Sequence, residues 1–159
     1  MDDCVTMAAV GDINLSHYLR GHTRAGGALW AFEPCLEHLR ADVLFGNLEC
    51  LLFKPGWADE PPLHRDRLHL AWPEALGLPR AGFDVVGLAN NHILDFGPRI
   101  AAETVEFLET HGIAHVGFGA APVRARRPAV LERNGLRIGF LAYVEDVPDL
   151  ARRVDPGPA

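Results

Sequence analysis

At 159 residues, with 48% apolar and 23% charged side chains, the chain is long enough for one buried core and too apolar for a disordered tail. Its 15 basic residues are outnumbered by 21 acidic ones, and a net charge of −6 offers no basic footprint for a nucleic-acid backbone. The balance is uneven: residues 1–120 carry 16 acids and 8 bases, residues 121–159 carry 5 acids and 7 bases.

The three cysteines, Cys4, Cys35 and Cys50, cannot all pair and form no C-x-x-C motif. They are expected as small apolar residues of a reduced, cytoplasmic protein. The acidic start Met1-Asp2-Asp3 is unlike a signal peptide, and no apolar run approaches the ~20 residues of a membrane span. A cytoplasmic location is therefore expected for the chain as it stands.

In chain order, Cys4–Val10 is a short apolar run ending at Gly11-Asp12 and predicts a buried strand. Leu29–Leu39 has helical apolar spacing interrupted by Pro34. Asp42–Leu48 predicts a second strand. Residues 53–66 hold Pro and Gly among charges and predict a surface loop. Pro73–Leu78 predicts a short helix, and Asp84–Leu88 a third strand running into Asn90-Asn91-His92. Pro98–His111 is the clearest helix, with Pro at its start and Gly112 just beyond it. Ile113–Gly117 predicts a fourth strand. Ala129–Arg133 and Leu136–Tyr143 flank Asn134-Gly135, the signature of a tight β-hairpin. One domain over residues 1–144 is expected, with 145–159 a loop or a truncated end.

Strands alternating with helices predict an α/β domain whose sheet is mostly parallel, with a C-terminal β-hairpin. Ligands of such sheets gather beyond the carboxyl ends of the strands. There the sequence places Asp12 and Asn14, then Asn47 and Glu49, then Asn90, Asn91, His92 and Asp95. Oxygen and nitrogen donors without thiolates suit a hard or borderline divalent cation. Each residue also has a plainer role: Asp12 or Asn14 could make an Asx turn, Glu49 could be a solvated acid, and Asn90-Asn91 could supply positive φ.

Gly11-Asp12-Ile13-Asn14-Leu15, Gly46-Asn47-Leu48-Glu49 and the run Phe83–Gly97 resemble the CapA family of poly-γ-glutamate capsule synthesis proteins. That family belongs to the calcineurin-like metallophosphatase superfamily. The resemblance extends through the following helix and the hairpin, and covers nearly the whole chain. It implies half of a metallophosphatase-like α-β-β-α sandwich and a site for two divalent metal ions (Mn, Fe, Zn or Mg). Asp12, Asn14, Asn47, Glu49 and Asn91 would be the metal residues. Asn14 stands where many superfamily members have His, and either Asn47 or Glu49 could be the second-motif ligand. His92 would assist the leaving oxygen and Asp95 would orient it.

Family members continue into histidine motifs that complete the metal sphere, whereas no histidine follows position 115 here. The chain thus reads as the N-terminal half of its domain, expected to bind metal weakly, hydrolyse little and expose apolar surface. Two functions stay open. One is a metal-dependent hydrolase of poly-γ-glutamate or capsule metabolism; the other is a non-catalytic binding or assembly protein for an anionic polymer or partner. His17 and His22 are expected in solvated loops, and His38, His64, His69, His111 and His115 on surfaces or helix ends. Trp30, Trp57 and Trp72 should be packing residues, and Arg124-Arg126-Arg127 a solvated face.

Overall fold

Two runs that are apolar on both faces, Val43–Leu48 and Val85–Gly87, become the inner strands of a parallel sheet, because only a sheet covered on each side buries such segments. The first run, expected as a buried strand, is instead an outer strand whose residues before Ile13 are exposed or half-buried. The computed structural model describes residues 4–16, 19, 21, 22, 27, 29–54 and 67–145. In chain order its elements are β1 (Met7–Ile13), a 3₁₀ turn (Glu33–Cys35), β2 (Val43–Leu48), β3 (Leu51–Phe53) and β4 (His69–Ala71). The short helices α1 (Trp72–Ala75) and α2 (Gly77–Ala81) precede β5 (Val85–Gly87), α3 (Gly97–Thr110) and β6 (Ala114–Val116). Then come α4 (Pro122–Ala125), β7 (Ala129–Arg133) and β8 (Leu136–Phe140).

The main sheet has the order β1-β2-β5-β6, all parallel, and β7-β8 is an antiparallel hairpin. This is the expected α/β architecture. Alternation along β2 assigns the two faces. Leu44 and Leu48 point into the main core with Val86, Leu88 and the α3 residues Ile100, Phe107 and Leu108. On the opposite face, Phe45 carries Phe140 of β8, stacked at 5.7 Å. The sheet therefore lies between α3 on one side and the hairpin on the other.

α3 forms because Pro98 suits a first turn and because Ile100, Ala101, Thr104, Phe107 and Leu108 share one buried stripe. The hairpin turns as its sequence requires, with φ of 49° at Asn134 and 79° at Gly135. Its turn is tied back to the sheet. Arg133 donates to the Asp42 carbonyl at 3.0 Å and to Asp84 Oδ1 at 2.8 Å, and Asn134 donates to the Cys4 carbonyl at 3.0 Å.

Several boundaries differ from expectation. β1 runs to Ile13 rather than ending at Val10, so Asp12 lies within the strand, beyond an irregularity between Ala9 and Asp12. Leu29–Leu39 forms turns and a 3₁₀ segment instead of an α-helix, with Pro34 inside that segment. The 73–78 segment becomes two short helices. Phe53 ends β3 rather than opening a loop, and β3 pairs in parallel with β4 in a separate two-stranded sheet. That pair escapes sequence reading because three-residue strands carry too little periodicity. Thr104 on α3 locks it, donating through Oγ1 to the Ile100 carbonyl while accepting from Leu52 N–H at 2.8 Å.

His69 corrects the expectation of a surface histidine: it is 1% exposed in β4, between the Phe53 and Phe96 rings at 5.5 and 5.1 Å. His38 is exposed, His111 caps the end of α3 through Nδ1 and the Phe107 carbonyl, and His115 faces Glu109. His22 is exposed and stacks on Trp30; Trp72 packs edge-on against Phe107. All three cysteines are free; burial pushes the Cys50 thiol up to about 11, while Cys4 is exposed. Arg124, Arg126 and Arg127 are exposed, as expected. His17, His64, Trp57 and residues 55–66 and 146–159 lie outside the described residues.

Candidate functional site

The carboxyl ends of β1, β2 and β5 meet at one rim because the register leaves them level. Asp12 pairs with Asn47, and Asn47 with Gly87. Side chains then extend this alignment. Asn47 Nδ2 donates to Asp12 Oδ1 at 2.7 Å, and Asn90 Nδ2 donates to Asn47 Oδ1 at 3.2 Å and to the Leu48 carbonyl at 2.9 Å. One polar chain thus crosses three strand ends, from an exposed carboxylate to a buried amide.

Asn90 also accepts from His92 N–H at 3.0 Å, which folds the chain after β5 back over the rim. The His92 ring is then fixed from the other side: Nδ1 lies 2.8 Å from Asp95 Oδ2, and the same oxygen accepts from Leu68 N–H at 3.2 Å. The Asp95 side chain is fully enclosed while His92 keeps 16% of its side chain exposed. An ionised carboxylate at Nδ1 keeps the proton on that nitrogen and leaves Nε2 as the free atom.

Glu49 follows β2, its backbone N–H bonded to the Ile13 carbonyl at 3.1 Å. Partial burial raises its carboxyl above the ordinary range, the charge on Asp12 raises it further, and His92 opposes the shift. Asp12 and His92 are thus each within electrostatic reach of Glu49. Asn14 behaves differently. Its Oδ1 accepts from both Ser16 N–H at 3.1 Å and Ser16 Oγ at 2.6 Å, an Asx-type turn that directs the chain away after β1.

The rim therefore unites Asp12, Asn47 and Glu49 with the loop holding Asn91, His92 and Asp95. Asn91 is partly buried between Asn90 and His92. Neither Asn90 nor Asn91 has positive φ, so the plainer role considered for them is not the one they fill. Sequence reasoning undervalued Asn90, whose amide joins β2 to the His92 loop; its place directly after the third strand was the available signal.

A divalent cation fits the donor set in part. The exposed Asp12 carboxylate acts on the half-buried Glu49, and a cation's charge would relieve that repulsion. The amide oxygens of Asn14 and Asn47 are already engaged within the protein. Among the described residues, no group of three or more His, Cys, Asp or Glu side chains is arranged to hold a metal ion.

Comparison with known proteins completes the picture. Residues 6–157 match the model of the family described as bacterial capsule synthesis protein PGA_cap. An uncharacterized protein of Sinorhizobium fredii is 35% identical over 158 residues, 97% of this chain and 33% of its own. A probable polyglutamine synthesis accessory protein of Mycobacterium tuberculosis is 39% identical over 129 residues, 77% of this chain and 33% of its own. Capsule biosynthesis protein CapA of Bacillus anthracis is 24% identical over 144 residues, 89% of this chain and 35% of its own. The chain spans about a third of the length of these relatives.

Proposed function

The chain belongs to the bacterial capsule synthesis protein family, and we propose that its strand-end rim is a divalent-cation site of hydrolase type. Its setting would be poly-γ-glutamate or related capsule metabolism. The observation that carries this reading is the hydrogen-bonded line from Asp12 through Asn47 and Asn90 to a His92 held by an enclosed Asp95, at the carboxyl ends of adjacent strands. A solvated surface has no need of a buried carboxylate behind an outward-facing imidazole.

Asp12 and Glu49 would hold the cation, with Asn91 and Asn47 as neutral neighbours. A bound divalent cation would supply an activated water and stabilise charge on a phosphoester or related ester or amide. Asp95 keeps the His92 ring oriented through Nδ1, so Nε2 is the atom that would exchange a proton with the leaving oxygen. Asn47 and Asn90 fix the spacing between the carboxylates and the imidazole.

A second reading has its own observation. Among the described residues no three His, Cys, Asp or Glu side chains are arranged to hold a metal ion, so the rim could bind a ligand without turning it over. Titration with Mn²⁺ in a calorimeter, beside an aryl phosphate ester assay, separates the two. For the 159-residue chain we expect weak, Asp12-dependent binding and little turnover. Mn²⁺ uptake unaffected by both Asp12→Ala and Glu49→Ala would refute the cation site. Uptake without turnover in a chain of the relatives' full length would favour the binding role.

A further inference from the structure

Beside β6, the outermost strand of the main sheet among the described residues, lies a polar cavity of about 600 Å³ that the rim does not use. Glu109 from α3, His115 from β6, and Arg124 and Arg127 from α4 and the turn after it line it, together with the apolar Val105 and Phe118. The volume lies within the ~300–1,000 Å³ of small-molecule sites.

The charges are not spent on each other. Among the described residues, neither Arg124 nor Arg127 forms an ion pair. In the same cavity, Glu109 lies 3.6 Å from His115 Nε2 with 69% of its side chain exposed, and His115 Nδ1 is buried without a hydrogen-bond partner. A simple anion would gain two guanidinium forks and be repelled by Glu109; a simple cation would meet the reverse. A ligand with both charges satisfies the arginines and Glu109 together.

We propose that this cavity binds a free α-amino acid, its carboxylate at Arg124 and Arg127, its ammonium toward Glu109, and its side chain on Val105 and Phe118. The site is separate from the rim, so its existence does not depend on any hydrolase activity. The probes are L-leucine, 4-methylpentanoate (leucine without its ammonium) and 3-methylbutylamine (leucine without its carboxylate), followed by NMR titration of the chain.

Leucine should shift the amide signals of residues 115–127, with each truncated analogue at least about tenfold weaker, as expected for loss of one charge-assisted contact. Arg127→Ala should lower leucine affinity by about the same factor. Glu109→Gln should abolish the preference for leucine over 4-methylpentanoate, while Asp12→Asn at the rim leaves all three affinities unchanged. Equal binding of leucine and 4-methylpentanoate overturns the proposal. So does tighter binding of inorganic phosphate that is indifferent to Glu109, because it marks a plain anion patch, and so does the absence of any shift at 115–127.

Discussion

Asp95 and His92 meet in a 2.8 Å hydrogen bond between a carboxylate with no exposure and a ring that keeps 16%. The same carboxylate oxygen binds Leu68 N–H, so the residue that orients the imidazole also anchors the chain entering β4. Asp95→Asn should preserve the fold but weaken the preference for a proton on Nδ1, which ¹⁵N shifts of the His92 ring report directly. Asp95→Ala should cost about 1–3 kcal/mol in denaturant unfolding, because Leu68 N–H is left buried and unpaired. A wild-type ring protonated on Nε2 instead would contradict the geometry.

Glu49 links the rim to pH. Its carboxyl is raised above the ordinary 4.5 by partial burial first and by the Asp12 charge second. The sign follows: a folded-state value above the unfolded one means that ionising Glu49 costs stability. That cost is absent when the group is protonated in both states and grows as pH rises from about 4.5 through the raised value. Asp12→Asn should bring the Glu49 transition down in a ¹³C-carboxyl titration and flatten the loss of stability across that window. A transition unmoved by Asp12→Asn would show the two carboxylates to be independent.

The fold was legible where residues repeat with a period, and the site where polar residues follow strands. α3 declared itself through Ile100 and Leu108 with Pro98 before them, and the hairpin through Asn134-Gly135. The rim was readable as a set of strand exits at Asp12, Asn47 and Asn91. Its wiring was not, since which amide meets which carboxylate depends on register: Asn47 reaches Asp12 only because those two residues are level. The sequence could not distinguish Asn14 closing a turn on Ser16 from Asn14 facing the rim, as the same amide serves both. Nor could it place His69 in the core, because no periodicity marks a three-residue strand.

Arg133 illustrates the long-range part that no local pattern reveals. It reaches back from the hairpin to the Asp42 carbonyl and to Asp84, whose other oxygen accepts from Leu44 N–H at 2.8 Å. Arg133→Ala should lower stability by roughly 1 kcal/mol, because the pair is partly exposed and solvent screens it. Amide exchange in β7 and β8 should rise more than in α3, which the bond does not touch. Uniform change across all elements would mean that the hairpin and the sheet unfold as one unit without this link.

Gly117 joins the hairpin side of the molecule to the rim, and it offers the sharpest test of the packing. Its φ is 91°, and a Cβ there would sit 2.6 Å from Ala89 Cβ, 2.7 Å from Ala89 N and 3.0 Å from Ala142 Cβ. One obstacle is backbone, which cannot rotate aside, and Ala89 directly precedes the Asn90 that holds the His92 loop. Gly117→Ala should therefore combine left-handed strain with overpacking, about 2–5 kcal/mol in all. It should also move the amide signals of Asn90 and His92. Gly139 is the control: a Cβ there would meet nothing within 4 Å and its φ is ordinary, so Gly139→Ala should change stability by less than about 0.5 kcal/mol. If Gly117→Ala proves as mild as Gly139→Ala, the close contact between the β6 exit and the His92 loop is not what holds the rim in place.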